Sequence, residues 1–511
     1  MATFTGEKKE AVQWIEENKT FITEMSDRIW LYAEPIWSEY RSSKHLTGVL
    51  KKAGFSVEEG AAGLDTAFVA TYGEGKPVIC TFAEYDSLEG TSQMPVPYKY
   101  PVIPGLTQGT WDMHHGLGAG AVGAALAIKY AMEKHKIPGT FKVFGTPAEK
   151  TTLGKNIMEN EGLFENLDAC IGWHPGDETS ADLYWNFRYR CNNHTRHTFS
   201  GTSAYNALPW GGRNAFHALE LMDIAVHIIK ESIVPVTDFP GIQSIINKEY
   251  ADYALSSVPG MAQVTYVSRA RSRKDNEVIQ KRLFDCANAA ALALGVTVKN
   301  EVVTGTWEGI PNHTVANVAH ENIEVIGPPK FAEKDFEYGR LVREELGLES
   351  NGVTPFGDIS IFPPGTRPVR WVMGSSDASL FTWKCPTIRI WVNYCRFGWP
   401  DWATSSWCIT NIAHQSLLTA AKIIASTVMD LFRDEKTLEE AKKEHYQRVK
   451  DTKWYNPMPK GQPKPKGEPL PREHYAAVIE AFGKGPKWEG WEPELSERME
   501  RIAQDVLEEL T

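Results

Sequence analysis

Several side chains that can do acid–base or metal chemistry stand directly after strand-like apolar runs, where a sheet would present them together. These residues are Asp86, Glu149, Lys150 and His174. Because the ligand crevice of an open α/β sheet lies at the carboxyl ends of its parallel strands, we expect them to converge. Asp112 and His114 lie two residues apart, just before a helix rich in small residues, and can present a carboxylate and an imidazole to the same crevice.

Carboxylates and imidazoles in one crevice suit a hydrolase that activates water. Such an enzyme needs a metal ion or an activated nucleophile, a general base, and donors for the developing oxyanion. Glu149 is the candidate base. The candidate metal ligands are Asp86, Asp112, His114 and His174. Each of these residues also has a structural interpretation, since a histidine after a strand commonly makes an ordinary hydrogen bond and an aspartate there commonly caps a helix.

The elements that must position these residues follow from the periodicity of the chain. Apolar runs alternate with helix-like segments over residues 1–186 and again over 309–433, which predicts an α/β catalytic domain in two parts on a mostly parallel sheet. Residues 187–308 change character and predict an inserted α+β domain. Residues 434–511 form a Pro-rich extension with short helices. The predicted strands of the main sheet are 67–72, 77–82, 140–144, 167–172 and 387–393, and its principal helices are 8–33, 42–53, 116–132 and 411–432.

Composition argues against several classes of partner. The 511 residues include 54 Lys and Arg against 65 Asp and Glu, a net charge of −11 without a long basic run, so the footprint of nucleic-acid or anionic-membrane binding is missing. The longest uncharged apolar run, 116–128, is too short to span a bilayer. Seven scattered cysteines without a Cys-x-x-Cys pair predict a reduced, cytoplasmic protein. We therefore expect a small-molecule substrate, with no nucleic acid and no membrane.

The chain is also rich in tryptophan, with 17 in all. Trp399, Trp402 and Trp407 fall within nine residues, and Trp111 stands beside Asp112. Core packing or a subunit interface would account for such a cluster, and so would an aromatic-lined substrate pocket.

In its motifs the chain resembles the aminoacylase/carboxypeptidase-type metallopeptidase family, which has a two-domain amidohydrolase fold. The resemblance covers about residues 10–459. The matching segments, which follow one another in the family's order, are 75–79, 84–88, 154–155, 173–175, 212–213, Tyr266 with Arg269, 376–377 and 383–384. The resemblance implies a hydrolase whose inserted domain serves as a lid and dimerisation unit, and hence a homodimer or a higher homo-oligomer.

The chain departs from this family where the family binds metal. The family's cysteine and histidine ligands correspond to Asp112 and His114 here, so the thiolate becomes a carboxylate. The family's Glu-Glu pair of base and ligand becomes Glu149 and Lys150. A late histidine ligand falls in 400–402, where nothing replaces it with assurance. Lys150 thus stands where a second cation would be held, unless it is an exposed loop lysine or pairs with Glu149.

These departures imply one divalent ion where the family has two. The resemblance assigns it to Asp112, His114 and His174, with help from Asp86 or Glu84. Exchange of a thiolate for a carboxylate makes the ligand set harder, which favours Mn²⁺ and leaves Zn²⁺ or Fe²⁺ as alternatives.

The resemblance also assigns residues to substrate binding. Tyr205 takes the position of a partner-subunit histidine that polarises the scissile carbonyl in relatives, and Arg213 that of an arginine that binds the substrate carboxylate. His197, like Lys150 and Tyr205, is a candidate to stabilise the oxyanion. The aromatic candidates for the pocket are Trp111, Trp399 and Trp402. Such a pocket would suit a small cyclic or aromatic substrate.

Three hypotheses for function follow. The first is a metal-dependent hydrolase that cleaves an amide or other C–N bond with Glu149 as general base. The second keeps this machinery but opens a cyclic 1,3-diketone at a C–C bond, where a fixed cation would stabilise the enolate leaving group. The third, suggested by the missing ligands, is a non-catalytic binding or partner subunit of a hydrolase.

Overall fold

The chain forms two principal sheets with helices packed on them. The computed structural model describes residues 4–107, 112–181, 187–233, 241–247, 256–349, 354–366, 370–372, 374–396 and 398–510. The strands are β1 (Ser56–Glu59), β2 (Phe68–Glu74), β3 (Val78–Ala83), β4 (Gly139–Gly145), β5 (Ala169–Gly176), β6 (Phe187–Tyr189), β7 (Cys191–Ser200), β8 (Gly241–Ile246), β9 (Met261–Ala270), β10 (Thr297–Gly305), β11 (Arg370–Val372) and β12 (Thr387–Asn393). The helices are α1 (Gly6–Glu17), α2 (Lys19–Tyr32), α3 (Tyr40–Lys52), α4 (His114–His135), α5 (Gly154–Asn160), α6 (Ala215–Ile233), α7 (Arg273–Leu294), α8 (His313–Ile326), α9 (Glu333–Glu345), α10 (Ser379–Lys384), α11 (Asp401–Ser405), α12 (Asn411–Arg433), α13 (Glu435–Val449), α14 (Arg472–Lys484) and α15 (Glu494–Glu509).

The larger sheet carries the predicted strand ends. Its strand order is β1-β2-β4-β3-β5-β12, in which β4, β3, β5 and β12 run parallel while β1 and β2 are antiparallel at one edge. The prediction of a mostly parallel α/β sheet is confirmed. The run 67–72 becomes the antiparallel strand β2, because apolar periodicity marks a strand without giving its direction.

Helix α4 joins the sheet to the rest of the core. It packs against α1, α2 and α12, and most of its residues are buried. Its glycines permit this packing, since a Cβ on Gly118 would lie 2.8 Å from the Glu84 carbonyl oxygen. The N-terminus of α4 is thereby held beside the end of β3. The predicted helix 8–33 is instead two helices, α1 and α2, which meet at Asn18, whose side-chain amide donates to the Trp14 carbonyl at 2.8 Å.

The smaller sheet has a core of its own. Its antiparallel strands follow the order β10-β7-β9-β8, and α6 and α7 pack on it around buried residues such as Phe199, Met222 and Ile279. This α+β unit lies within the predicted insertion. Our boundaries for it, 187 and 308, remain a prediction.

The C-terminal extension packs along its own chain. Helix α13 packs on α8, and α14 and α15 pack on α2. Between them the chain crosses both units: the Asn456 amide donates to Asn156 O on the catalytic unit, and the Gln462 amide donates to Val302 O on β10. All seven cysteines are buried and unpaired. Among the helices described, none combines the length and the hydropathy that crossing a bilayer requires.

Candidate active site

Three predicted metal ligands come together beside the carboxyl ends of β3 and β5. Asp112 Oδ2 lies 3.4 Å from His114 Nε2 and 3.5 Å from His174 Nε2. All three side chains are buried. His174 lies near the end of β5 and His114 begins α4, so the sheet edge and a helix terminus meet here as the strand positions predicted.

The backbone that carries these groups is strained. Met113, between Asp112 and His114, has φ of 47°, and Ala148 and Thr152, on either side of the turn that holds Glu149, each have φ of 55°. Residues other than glycine rarely adopt this left-handed conformation, which costs on the order of 1–3 kcal/mol and tends to cluster at functional sites.

Asp86 lies behind His114 and orients its ring. His114 Nδ1 donates to Asp86 Oδ1 at 2.7 Å, and the Lys150 backbone N–H donates to Asp86 Oδ2 at 3.1 Å. Both carboxylate oxygens therefore have donors. This corrects the prediction that Asp86 is a metal ligand: it is the carboxylate that fixes the tautomer of a ligand histidine.

The three converging groups fit a divalent cation. His174 Nδ1 donates to the Pro175 carbonyl at 2.7 Å, as His114 Nδ1 does to Asp86, so each ring turns the lone pair of Nε2 towards Asp112. Asp112 Oδ1 is buried and has no hydrogen-bond partner among the described residues. Two imidazole nitrogens and a carboxylate oxygen facing one another are a ligand set for a transition metal.

The pKa values express the same demand for positive charge. Burial alone would lower the pKa of His114, but the charge of Asp112 outweighs it and raises that pKa to about 10. Burial would raise the pKa of Asp112, but His114 and Lys150 hold it well below its ordinary value. Burial lowers the pKa of His174 and so favours its neutral, ligating form.

Lys150 supplies a fixed ammonium at this site. Its Nζ lies 2.5 Å from Asp112 Oδ2, and the side chain is 15% exposed, so it is no free loop lysine. Burial opposes its charge, but Asp112 and Glu149 outweigh burial and raise its pKa. The ion pair forms with Asp112, where the sequence left open a pair with Glu149.

Glu149 lies next to the candidate ligands. Its Oε2 is 3.8 Å from His114 Nε2, and its Oε1 accepts a hydrogen bond of 2.8 Å from Ser376 Oγ. The carboxylate is buried, and its Oε2 is the oxygen on the side of the candidate ligands.

A buried network of four charges supports Glu149 and was missed by the sequence analysis, apart from Glu84. Lys155 Nζ lies 2.8 Å from Glu84 Oε1 and 2.7 Å from Asp377 Oδ1, and Arg389 Nη2 lies 2.8 Å from Glu84 Oε2. Burial would raise the pKa of Glu84, but Arg389 and Lys155 lower it. Glu84, Glu149 and Asp377 also lie close enough to surround a cation. The Lys155 ammonium, bonded to two of them, supplies that charge.

The residues predicted on the inserted unit stand apart from this cluster. Tyr205 is 62% exposed and Arg213 is exposed, with its Nη1 donating to the Gly212 carbonyl. His197 is buried: Nδ1 lies 2.7 Å from Asn300 Oδ1, Nε2 lies 3.1 Å from Thr195 Oγ1, and burial lowers its pKa to about 4. Because both ring nitrogens have partners inside the sheet, the structure gives His197 a packing role and no path to a substrate.

The predicted aromatic residues have mixed outcomes. Trp399 and Trp402 pack against the main core, with the rings of Trp399 and Trp407 centred 6.0 Å apart. Packing therefore accounts for much of this cluster. Trp111 lies outside the described residues.

Comparison with curated proteins finds relatives along most of the chain. It is 30% identical to one of the two kinds of subunit of the p-aminobenzoyl-glutamate hydrolase of Escherichia coli over 479 residues, which cover 87% of this chain and 96% of that protein. It is 28% identical to Xaa-Arg dipeptidase of Mus musculus over 375 residues, 71% of this chain and 80% of that protein. No family model matches the chain.

Solved structures support the fold. An aminobenzoyl-glutamate utilization protein from Klebsiella pneumoniae superposes with a TM-score of 0.52 at 14% identity, covering 79% of this chain and 97% of that one. At this level of identity the likeness extends to the architecture alone.

Proposed function

Because the chain belongs to the aminoacylase/carboxypeptidase-type family of metallopeptidases and amidohydrolases, it is a hydrolase, and we propose that it cleaves an amide or other C–N bond in a small cyclic or aromatic substrate. The observation that carries the proposal is the approach of Asp112, His114 and His174 to one another beside Glu149. The names of the two relatives above, a p-aminobenzoyl-glutamate hydrolase and a dipeptidase, support an amide bond and, in the first case, an aromatic acyl group.

The proposed cofactor is a single divalent ion on Asp112, His114 and His174. Bound there it would supply Lewis acidity to the carbonyl group and to the attacking water. Mn²⁺ is favoured by a carboxylate in place of a thiolate, with Zn²⁺ and Fe²⁺ as alternatives. Lys150 supports a count of one, since its ammonium occupies the oxygen of Asp112 that faces both imidazoles.

Glu149 is the proposed general base. Its Oε2 takes a proton from the water as the water oxygen bonds to the carbonyl carbon, and it then delivers that proton to the leaving nitrogen as the C–N bond breaks. The Lys150 ammonium lies at the same cluster and would stabilise the oxyanion formed on the carbonyl oxygen. Exclusion of water by the buried surroundings would strengthen both interactions.

We further propose a homodimer formed through the inserted unit. Helix α6 exposes Ile224 and Ile228, and β8, at one edge of its sheet, exposes Ile245 and Ile246. Exposed apolar side chains beside an edge strand are typical of a protein interface. Pairing there would also give a use to the exposed Tyr205 and Arg213, as residues that a partner lends to the active site.

The test is hydrolysis of a substrate panel by the purified, Mn²⁺-loaded protein in ¹⁸O-labelled water. The panel holds p-aminobenzoyl-glutamate, N-acyl amino acids, Xaa-Arg dipeptides and cyclic 1,3-diketones. We expect an amide to be cleaved with one ¹⁸O in the acid product. Glu149→Gln should lower kcat by about 10²–10⁴-fold, and the exposed control Glu161→Gln should not. Full activity of Glu149→Gln would refute the base.

The alternatives are separated by the same panel. Turnover of a diketone but of no amide would favour C–C bond hydrolysis, which at present no observation in the structure favours. The third hypothesis, a non-catalytic subunit, has lost its support, because the curated relatives are hydrolases and the candidate base and ligands lie together.

A further inference from the structure

The hydrogen bonds around Ser376 point to a role beyond packing. Ser376 lies 3% exposed between Glu149 and Arg389. Its Oγ is 2.8 Å from Glu149 Oε1, 2.9 Å from Arg389 Nη1 and 3.2 Å from the Ala378 backbone nitrogen. We propose that Ser376, itself fixed by Arg389, is a positioning residue for the base Glu149; this inference rests on the function proposed above.

The direction of the Ser376 hydroxyl follows from its partners. A hydroxyl has one hydrogen to give and two lone pairs to receive. Arg389 Nη1 and the Ala378 N–H can only donate, so they take the two lone pairs. Glu149 Oε1 is the remaining partner among the described residues, and as a carboxylate oxygen it accepts. The hydrogen of Ser376 is therefore committed to Glu149.

This commitment distinguishes the two oxygens of Glu149. Oε1 carries a hydrogen bond from Ser376, and Oε2 is left on the side of His114, at 3.8 Å from Nε2. A carboxylate held at one oxygen cannot rotate freely about its terminal torsion. Oε2 is therefore the oxygen presented to the attacking water, and loss of Ser376 would leave both the rotation and the buried charge of Glu149 less restrained.

Arg389 is fixed in turn and does not depend on Ser376. Its Nη2 binds Glu84 Oε2 at 2.8 Å and its Nε donates to the Trp173 carbonyl at 3.2 Å, across the β5–β12 pair. Glu84 is also held by Lys155 at 2.8 Å. Because a guanidinium stays charged and has donors in a rigid plane, it can hold Glu84 and the serine together. The buried charges thus form a rigid support that ends at the base.

A purely structural role would give a different experimental result. Ser376→Ala removes the donor to Glu149, so we expect kcat on the best amide of the panel to fall about 10- to 100-fold. KM should stay within about twofold and Mn²⁺ stoichiometry should not change, since neither depends on the orientation of Oε2. Ser376→Thr retains the hydroxyl and should restore most of kcat, whereas Ser376→Cys, a near-isosteric weak donor, should not.

The matched control is Ser379→Ala. Ser379 is equally buried, three residues further on, and its hydroxyl donates to the Trp307 carbonyl at 2.8 Å, away from Glu149. It should alter thermal stability about as much as Ser376→Ala and leave kcat unchanged. Equal kcat for the two alanine variants would overturn the inference, and so would full activity of Ser376→Cys, which also serves if Ser376→Ala does not fold.

A double-mutant cycle with Glu149→Gln separates this inference from the proposed function. If Ser376 acts through Glu149, Ser376→Ala should cost little further activity in the Glu149→Gln background. Additive losses would overturn the positioning role while leaving Glu149 as the base. An unchanged kcat for Glu149→Gln would refute the proposed base itself, and with it the inference.

Discussion

The ammonium of Lys150 contacts Asp112 through the same oxygen, Oδ2, that faces the imidazoles of His114 and His174. The carboxylate of Asp112 thus has a protein cation on one side and the proposed metal position on the other. A carboxylate shared in this way gives a permanent positive charge where a second ion would otherwise be bound.

Lys150 should therefore limit the number of metal ions. Lys150→Glu replaces the cation by a carboxylate beside Asp112 and Glu149, and we expect the stoichiometry after dialysis against Mn²⁺ to rise from one ion per chain towards two. Elemental analysis by mass spectrometry measures it. Lys436→Glu, on an exposed face of α13, is the charge-matched control and should bind one ion. Two ions in the unaltered protein would contradict the prediction.

Asp86 and Asp112 should differ in what they do to metal affinity. Asp112→Asn removes a proposed ligand, so stoichiometric Mn²⁺ binding should be lost. Asp86→Asn weakens only the support of His114 and should lower the affinity about 10- to 100-fold with one site retained. Competition with a chelating indicator distinguishes the two outcomes. Equal effects would mean that Asp86 is itself a ligand.

The proposed homodimer should depend on the exposed face of α6. Ile228→Asp places a charge on a residue that is 68% exposed in a single chain, and it should convert a dimer into a chain of 57.2 kDa in light scattering. Leu292→Asp, on α7, is the control on a still more exposed residue. A monomeric unaltered protein would argue against self-association and leave a complex with a different chain.

Asp27 should secure the C-terminal extension. Its buried carboxylate pairs with His414 and with Arg498 of α15, each at 2.8 Å. Asp27→Asn should lower the free energy of unfolding at neutral pH by about 3 kcal/mol, measured in urea. The control is Asp505→Asn, which breaks a more exposed pair with Arg28 and should change it by under about 1 kcal/mol.

The contribution of Asp27 should vanish in acid. Burial would raise its pKa, but His414 and Arg498 outweigh burial and lower it below its ordinary value of 3.8. The stabilisation is therefore complete above that value and is lost as the pH falls through the lower, folded pKa. The difference between the unaltered protein and Asp27→Asn should shrink below about pH 4. A constant difference down to about pH 2 would mean that the carboxylate charge is not the cause.

The convergence of the site was predictable from sequence because it depends on local signals. Apolar runs that end near Glu149 or His174, and a helix that begins at His114, place these side chains at the carboxyl edge of any parallel sheet. The strand and helix assignments needed for this were confirmed. The direction of β2 was not predictable, since period and composition are the same in both directions.

The support of the base depends on partners that are distant in sequence. Lys155 and Ser376 follow no pattern that assigns them a partner, and the role of Asp86 is set by which atoms of His114 it reaches. One signal was available: Arg389 stands in the middle of the apolar strand 387–393. A buried arginine must be paired, so its position indicated a carboxylate in the core without saying which.

The pairing of Glu84 with Arg389 joins residues 305 positions apart, and that of Lys155 with Asp377 joins residues 222 apart. During synthesis the first part of the catalytic unit emerges with Glu84 and Lys155 but without their later partners. Until the ribosome has made β12, that segment would have to bury charges lacking their full compensation, so it should stay open to chaperones or incompletely folded. Competence for catalysis should then appear late and abruptly on the nascent chain, after the inserted unit has already had time to fold.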